Sequence, residues 1–493
     1  MTNTKNLDEY WVNYLKDFKI IENDEERLKR EKVLLLLNST LSMFTRAVAD
    51  ENNYRRGEIS CLLSPFGSYD LGGYIRNADI DIVLICPQMV KRRDFFRFFP
   101  NTLKQLATIR DIEEIRNANV PIIKCVVDNI SIDISFVRLR ENRCDNTIDL
   151  LDNRYLKNMH ESCRASMDGP RVNRFIKRQI KDEHVPIFQR SLQCIKHWAS
   201  IRHIYNKPIG YLNGSSWTLL LLKTYMDVRN VLDLTITHLL FSFFNKWKDW
   251  PWPTPVLLTS DIPGENNQRV EYRSLQEFTD AVMPIVTPCY PVSSAAPNVT
   301  KATLKIMTRE FERASLILDG PTNPKDTVRK LFNPVDYFKR YHDYITIITS
   351  STSQSSLETW QRKMPNVIPQ LVQMMEKSPD LKCIQPVIKP IVLFQNYSTN
   401  EERRALEMGM SVEEAKQLDS NGQLNPGMVH LIYFFIGIQI ESSCQFLNLS
   451  EHVESFEKLL QSRRTKYDDD VRWYVTAFKR KKVKEIVHYG NEK

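Results

Sequence analysis

Three short β-like runs lie between segments of helical pattern in this chain, and this order limits the possible fold classes. Residues 79–86, 122–127 and 130–137 are rich in β-branched residues, and the last two runs are separated by the turn pair Asp128-Asn129, which predicts a hairpin. Before and after them, over 7–50, 185–203 and 216–228, apolar residues recur at helical spacing. This combination predicts an α+β fold.

The first β-like run begins with Asp79-Ile80-Asp81. Because alternate side chains of a strand share a face, Asp79 and Asp81 are expected to project together, with Cα atoms roughly 6.5–7 Å apart. Two such carboxylates can jointly hold two divalent cations, an arrangement that serves phosphoryl transfer, and Mg²⁺ or Mn²⁺ suits their hard oxygen ligands. An Asp-x-Asp pair alone is more often a solvated strand face.

A third carboxylate lies on the last β-like run. From Ile130 to Phe136 the even positions are apolar and the odd ones polar, so Asp133 faces away from the core side. We predict that Asp133 binds the metal ion that activates an incoming hydroxyl, with Asp79 and Asp81 bridging both ions. Asp128 is the competitor, but turn chemistry explains it.

A glycine turn precedes the acidic pair. Phe66, Gly67 and Ser68 stand together, and Asp79 follows Ser68 by eleven residues. A glycine permits close approach of the backbone to a triphosphate, and exposed N–H groups with the Ser hydroxyl can donate to its oxygens. A Gly-Ser pair alone is a weak signal, whereas its order and spacing with the three aspartates are informative.

These residues also carry a family resemblance. Phe66-Gly67-Ser68-Tyr69-x-Leu71-Gly72 followed by Ala78-Asp79-Ile80-Asp81 resembles the signature of the polymerase-β-like nucleotidyltransferases. Further blocks resemble the eukaryotic nuclear poly(A) polymerases: Val120 to Lys124, Ile132 to Ile134, Ile195 to Ala199, Ile204-Tyr205, Trp252 to Leu258, Met283 to Pro291 and Asn298 to Thr300.

The resemblance implies three domains. They are a catalytic palm over 1–170, whose N-terminal helix is expected to pack on the central domain, a helical central domain over 171–332, and an RRM-like RNA-binding domain over 333–475. A basic tail over 476–493 follows. The implied activity is template-independent addition of AMP from ATP to an RNA 3′ end in the nucleus, together with proteins of the cleavage and polyadenylation machinery.

The resemblance also implies roles for single residues. Asp79, Asp81 and Asp133 match the family's metal triad, and its ATP-binding residues correspond to Phe66, Gly67, Ser68, Lys196, Tyr205, Gly214 and Ser215. Lys196 would contact the triphosphate and Tyr205 would line the nucleotide pocket. Without the resemblance, Lys196 reads as a helix lysine that reaches solvent and Tyr205 as a core aromatic.

Four positions depart from the family pattern. They are Asp168, Lys207, Asn213 and Ala296. The change at Asp168 adds a negative charge near a triphosphate and the change at Lys207 adds a positive one, so both are candidate nucleotide contacts that compensate each other.

The C-terminal region offers two candidate RNA contacts. Phe338, Tyr341 and Tyr344 are read either as base-stacking residues or as core aromatics. Lys479, Arg480, Lys481 and Lys482 form a basic cluster that we interpret as RNA phosphate contacts, a nuclear-import signal or a solvated tail.

Composition limits the kinds of partner, cysteine chemistry and membrane segment that the chain can have. A formal net charge of +8 is compatible with a polyanionic partner, and nine scattered cysteines without a Cys-x-x-Cys pair argue against disulfides or a zinc module. The polar first ten residues and the short apolar run over 429–440 predict neither a secretory signal nor a membrane span. The alternatives are a terminal uridylyltransferase or related nucleotidyltransferase, and a catalytically inactive RNA-binding scaffold.

Overall fold

A computed structural model of the chain describes residues 2–264, 268–320, 323–417, 424–444, 447–465 and 468–491. The chain divides into two compact units. The first unit holds Met1–Trp198, Gly214–Ala295 and Glu312–Phe332, and the second holds Ala199–Asn213, Ala296–Phe311 and Asn333–Lys493. The α+β prediction is confirmed. None of the described helices is long and apolar enough to cross a membrane.

The first unit begins with two helices, α1 (Thr2–Asp17) and α2 (Asp24–Asn52), where the sequence pattern indicated one helical region. The break is local. Lys19 adopts a left-handed conformation after α1, and Asn23 caps α2 by accepting from the backbone N–H of Glu26 at 2.8 Å. The Glu26 carboxylate accepts from the Asn23 N–H in return, which completes a capping box.

A five-stranded sheet follows. Its elements in chain order, with their helices, are β1 (Leu62–Phe66), α3 (Gly67–Asp70), β2 (Ile80–Cys86), α4 (Arg92–Leu103), β3 (Ile109–Ile115), β4 (Ile122–Val127) and β5 (Ile130–Arg138). The strand order is β1-β2-β5-β4-β3, and β2 and β5 run parallel while the other neighbours are antiparallel. The predicted hairpin turn between β4 and β5 is present, with positive φ at Asp128 and Asn129.

Both faces of this sheet are covered. Ile82 of β2 and Ile134 of β5 point to the face that packs against α2 and α4, where Phe44 and Phe95 are fully buried. On the other face lie Val83, Ile85 and Val137, packed with Met167 of the next helix, α5 (Glu161–Gln179). Strands β2 and β5 therefore alternate between two cores, and the odd positions of these two strands face α5.

Helices complete the unit. They are α6 (Val185–Ile201), α7 (Gly214–Val228), α8 (Ile236–Lys248), α9 (Gln276–Thr279), α10 (Lys301–Asp319) and α11 (Pro324–Leu331), with α6 and α10 continuing into the second unit. The N-terminal helix packs on α8 and α11. The Asp8 carboxylate accepts from the backbone N–H of Ile236 and of Thr237, so it caps the start of α8.

The second unit is built on an antiparallel sheet. Its elements are α12 (Tyr337–Arg340), β6 (Asp343–Ser351), α13 (Gln354–Lys363), α14 (Ile368–Met375), β7 (Leu381–Pro386), β8 (Ile391–Thr399), α15 (Asn400–Glu407), α16 (Val412–Gln417), β9 (Leu424–Ile440), α17 (Ser450–Ser462), β10 (Arg472–Lys479) and α18 (Arg480–Asn491). The strand order is β10-β6-β9-β7, and β8 also pairs with β9.

The basic segment after residue 475 is part of this unit and does not form a tail, in contrast to the sequence prediction. Strand β10 pairs with β6 along its whole length, and Val483 and Ile486 of α18 are buried. The prediction went wrong because the charges of 479–484 hide an apolar helical stripe. Residues 492–493 of the predicted tail lie outside the described part of the chain.

The half-buried imidazole of His197, in the helical part of the first unit, should make the stability of the protein depend on pH. Its ring lies between Tyr14 and Phe332, and burial lowers the pKa of the imidazole from 6.5 to about 4. Between these values the unfolded chain binds a proton that the folded chain does not, so stability is lost as the pH falls. We expect urea denaturation to show a loss of about 2 kcal/mol between pH 7 and pH 5 from this residue. The variant His197→Phe should lack that part of the loss; an equal loss in both proteins would contradict the assignment.

Candidate active site

The three predicted aspartates lie together in the first unit. Asp81 of β2 stands directly opposite Asp133 of the parallel strand β5, and Asp79 immediately precedes β2. One carboxylate oxygen of each lies within 4.8 Å of the others. Asp79 is exposed, whereas Asp81 and Asp133 are half-buried. Since the odd positions face α5, this cluster lies on the α5 face of the sheet.

The cluster is electrostatically strained. Burial, followed by the negative charges of Asp79 and Asp133, raises the pKa of the Asp81 carboxyl from 3.8 to about 7. Like charges at this separation repel, and a divalent cation between them would remove the repulsion. Three oxygen donors on adjacent backbone segments therefore fit Mg²⁺ or Mn²⁺.

Lys124 is a partner that the sequence reasoning missed as a site residue. It lies on β4 directly opposite Asp133, and its ammonium group donates to the Asp133 carboxylate at 2.9 Å. Burial alone would lower the pKa of Lys124, but the hydrogen bond and the charge of Asp133 outweigh it and raise the pKa. The hairpin register could have revealed it, because the turn at 128–129 places position 124 across from position 133.

Gly67 places the backbone against the cluster. It has a φ of +70°, and a Cβ atom there would lie 2.5 Å from Oδ2 of Asp81. A side chain at this position would therefore displace the carboxylate as well as strain the turn. Ser68 follows within α3, and the Phe66 ring packs against Gly169 of α5.

Lys196 brings a buried positive charge. It lies on α6 with 4% of its surface exposed, and burial lowers the pKa of its ammonium group to about 8, although the charges of Asp79 and Asp81 oppose this shift. The charges of both aspartates therefore act on the Lys196 ammonium group. Gly214 and Ser215 begin α7, whose next residue, Ser216, donates from its hydroxyl to the Ala295 carbonyl.

Asp168, one of the four positions that depart from the family pattern, has a cationic neighbour. It lies on α5, where burial lowers the pKa of the Arg171 guanidinium and the charge of Asp168 opposes that effect. Arg171 itself is 2% exposed and donates to the carbonyl oxygens of Tyr290 and Leu150. Its positive charge therefore already offsets the extra negative charge of Asp168 within this unit.

The other nucleotide candidates belong to the second unit. Tyr205 is half-buried and forms a β-bridge with Leu212. The Lys207 carbonyl accepts from the Asn298 amide at 3.1 Å, and Ala296 is buried.

The C-terminal RNA candidates are largely engaged in the fold. Tyr341 and Tyr344 are buried, so they are not available for base stacking, whereas Phe338 is half-buried. The structure therefore supports the interpretation of these two tyrosines as core residues.

The basic cluster is partly neutralised within the second unit. Lys479 pairs with Asp343, Lys482 pairs with Glu414, and Arg480 donates to the Tyr341 carbonyl. Lys481 is exposed. The assignment of these cations to RNA remains a prediction.

Three carboxylates at two neighbouring strands, with a glycine turn against them, form the arrangement expected of a nucleotidyltransferase. Family models match along nearly the whole chain: a "Poly(A) polymerase nucleotidyltransferase domain" over residues 3–180, a "Poly(A) polymerase central domain" over 187–334 and a "Poly(A) polymerase predicted RNA binding domain" over 336–493.

Relatives with known names agree with these matches. A poly(A) polymerase of Dictyostelium discoideum is 31% identical over 76% of this chain, which spans 46% of that relative. The poly(A) polymerase pla1 of Schizosaccharomyces pombe is 30% identical over 84% of this chain and 73% of its own length. The chain therefore belongs to the poly(A) polymerase family. A Cid1 poly(U) polymerase structure bound to MgATP has a TM-score of 0.46 and 16% identity, and covers 67% of this chain and 99% of its own.

The repulsion in the acidic cluster yields a prediction about stability. Asp81→Asn removes one of three mutually repelling charges, so the variant should unfold at a higher temperature than the parent protein in the presence of a chelator. The expected gain is on the order of 1–3 kcal/mol. Adding Mn²⁺ should stabilise the parent protein and leave the variant nearly unchanged. A variant that melts lower in chelator, or that responds to Mn²⁺ like the parent, would contradict the cluster's role.

Proposed function

We propose that this protein is a polynucleotide adenylyltransferase that adds AMP from ATP to the 3′ end of RNA without a template. The observation that carries the proposal is the register that places Asp81 opposite Asp133 with Asp79 beside them. Membership in the poly(A) polymerase family supports ATP and RNA as substrates.

The chemistry is attack of the RNA 3′ hydroxyl on the α-phosphate of ATP, with pyrophosphate as the leaving group. Asp79, Asp81 and Asp133 would hold two Mg²⁺ or Mn²⁺ ions. Such ions, when bound, lower the pKa of the attacking hydroxyl and neutralise charge on the triphosphate.

The remaining groups orient the nucleotide. The backbone at Gly67 approaches the cluster closely enough to donate to phosphate oxygens, with the Ser68 hydroxyl beside it. Lys196 supplies a point charge from a buried position, where its attraction to a triphosphate is little screened by water. Lys124 acts as a positioning residue, because its hydrogen bond orients the Asp133 carboxylate.

Nucleotide selection is assigned to Tyr205, with contributions from Gly214 and Ser215 at the start of α7. Asp168 and Lys207 alter the charge of the nucleotide surroundings relative to the family pattern, and Arg171 offsets the first of these changes. We further propose a nuclear location and association with proteins of the cleavage and polyadenylation machinery, as the family resemblance implies.

Two aspartates of one hairpin provide a matched test of the triad. Asp133→Asn removes a charge from the cluster, whereas Asp128→Asn removes one from the turn, where asparagine tolerates a positive φ equally well. We expect extension of an RNA primer by ATP to fall at least about a thousandfold in the first variant and to remain within about twofold in the second.

The same assay is run with ATP, UTP, GTP and CTP separately. Faster incorporation of UTP than of ATP would favour a terminal uridylyltransferase. A folded parent protein that extends RNA with none of the four nucleotides, with Mg²⁺ or Mn²⁺ present, would favour an inactive scaffold. Full activity of Asp133→Asn would overturn the triad.

Lys196→Met tests the triphosphate contact, since methionine keeps an apolar stem of similar length but lacks the terminal ammonium group. Losing a little-screened charge on a phosphate should raise the KM for ATP by about ten- to a hundredfold. The KM for RNA should stay unchanged, as measured by initial rates at saturating ATP. A rise in both KM values, or in neither, would argue that Lys196 has a structural role.

A further inference from the structure

A cavity lies in the first unit, within the predicted palm and away from the acidic cluster. It has a volume of about 220 Å³, and its floor is formed by the buried side chains of Phe136 and Cys163. Its rim carries four cations: Arg92, Arg138, Arg140 and Lys157.

The four cations are not neutralised by direct ion pairs, although the charges of Glu141 and Asp152 act on Tyr155 of the cavity wall. Among the residues that the structure describes, none of the four forms an ion pair, and no carboxylate lines the cavity. Arg92 donates to the Cys163 sulfur at 3.3 Å, which fixes its guanidinium over the floor. Arg138, Arg140 and Lys157 are exposed. Unpaired cations around one concavity form a binding site for an anion.

The cavity is separate from the catalytic cluster. Arg138 follows Asp133 by five residues on β5, which corresponds to roughly 16 Å along the strand. Phe136 and Arg138 occupy even positions, so they point to the face of the sheet opposite to Asp133. A ligand held here cannot be the nucleotide that reacts.

We propose that this cavity binds phosphates of the RNA substrate at a segment upstream of its 3′ end. The inference rests on the proposed function, because it takes RNA as the substrate. Guanidinium forks match phosphate oxygens in pairs, and the half-buried ring of Tyr155 on the cavity wall provides a surface for a base. An aromatic ring beside unpaired cations fits a nucleotide better than it fits an acidic peptide.

The test compares two double variants with equal changes in charge. Arg138→Ala with Lys157→Ala removes two rim cations, and Arg46→Ala with Lys104→Ala removes two exposed cations elsewhere in the same unit. Affinity for a long single-stranded oligo(A) is measured over a series of salt concentrations. The rim variant should bind about tenfold more weakly at low salt, with the slope of log K against log salt reduced by about 1.4. The control variant should match the parent protein.

An oligo(A) too short to reach from the acidic cluster to the cavity separates this inference from the proposed function. Extension of the short primer should be equal in all three proteins. If the rim variant keeps the parent's affinity and salt slope while the parent extends RNA, the cavity does not bind RNA and an acidic protein partner becomes the alternative. If the parent neither binds nor extends RNA, both the proposed function and this inference fail.

Discussion

The parallel pairing of β2 with β5 is the constraint on which the rest of the site depends. It sets Asp81 directly across from Asp133, and it does so at the expense of electrostatic stability. Nothing in the packing of a sheet requires two half-buried carboxylates at adjacent positions. Their presence means that the folded chain stores repulsion that a bound cation would release, which is typical of sites selected for chemistry over stability.

The surroundings are arranged to tolerate this repulsion without abolishing it. Lys124 neutralises one carboxylate by a direct hydrogen bond, while Lys196 contributes a charge from a more buried position. Gly67 leaves no side chain between the turn and Asp81. Two cations beside three carboxylates leave a net negative charge, which attracts divalent metal ions. The same net charge would repel a triphosphate that arrived without them.

Features that depend on residues close together in the sequence were the ones that the sequence could predict. Strand alternation and hairpin chemistry are local, so the cluster of Asp79, Asp81 and Asp133 was predictable, and the structure brings the three together. Lys124 needed one further step, which is the register that the two-residue turn at 128–129 sets between β4 and β5. The capping box at Asn23 was a local signal that a long helical pattern obscured.

The residues after position 475 were predicted incorrectly for another reason. Their charge suggested a solvent-exposed tail, whereas they are part of the folded second unit. The β10 pairing and the buried stripe of α18 depend on contacts with distant strands, so the segment after residue 475 resembled a tail. Once it is folded, Lys479 and Lys482 are held by carboxylates of the same unit.

The ion pairing of Lys479 and Lys482 affects where RNA phosphates would be bound. An ion-paired surface cation gives up an existing interaction when it contacts a phosphate, whereas an unpaired one does not. On the palm, Arg138 and Arg140 have no carboxylate partner among the described residues, and they lie next to Arg92 over a buried floor. Cations without an ion-pair partner are therefore available to a polyanion on the first unit as well. A chain that holds its substrate partly on the palm would keep an RNA near the acidic cluster between successive additions, through contacts that are independent of the base sequence.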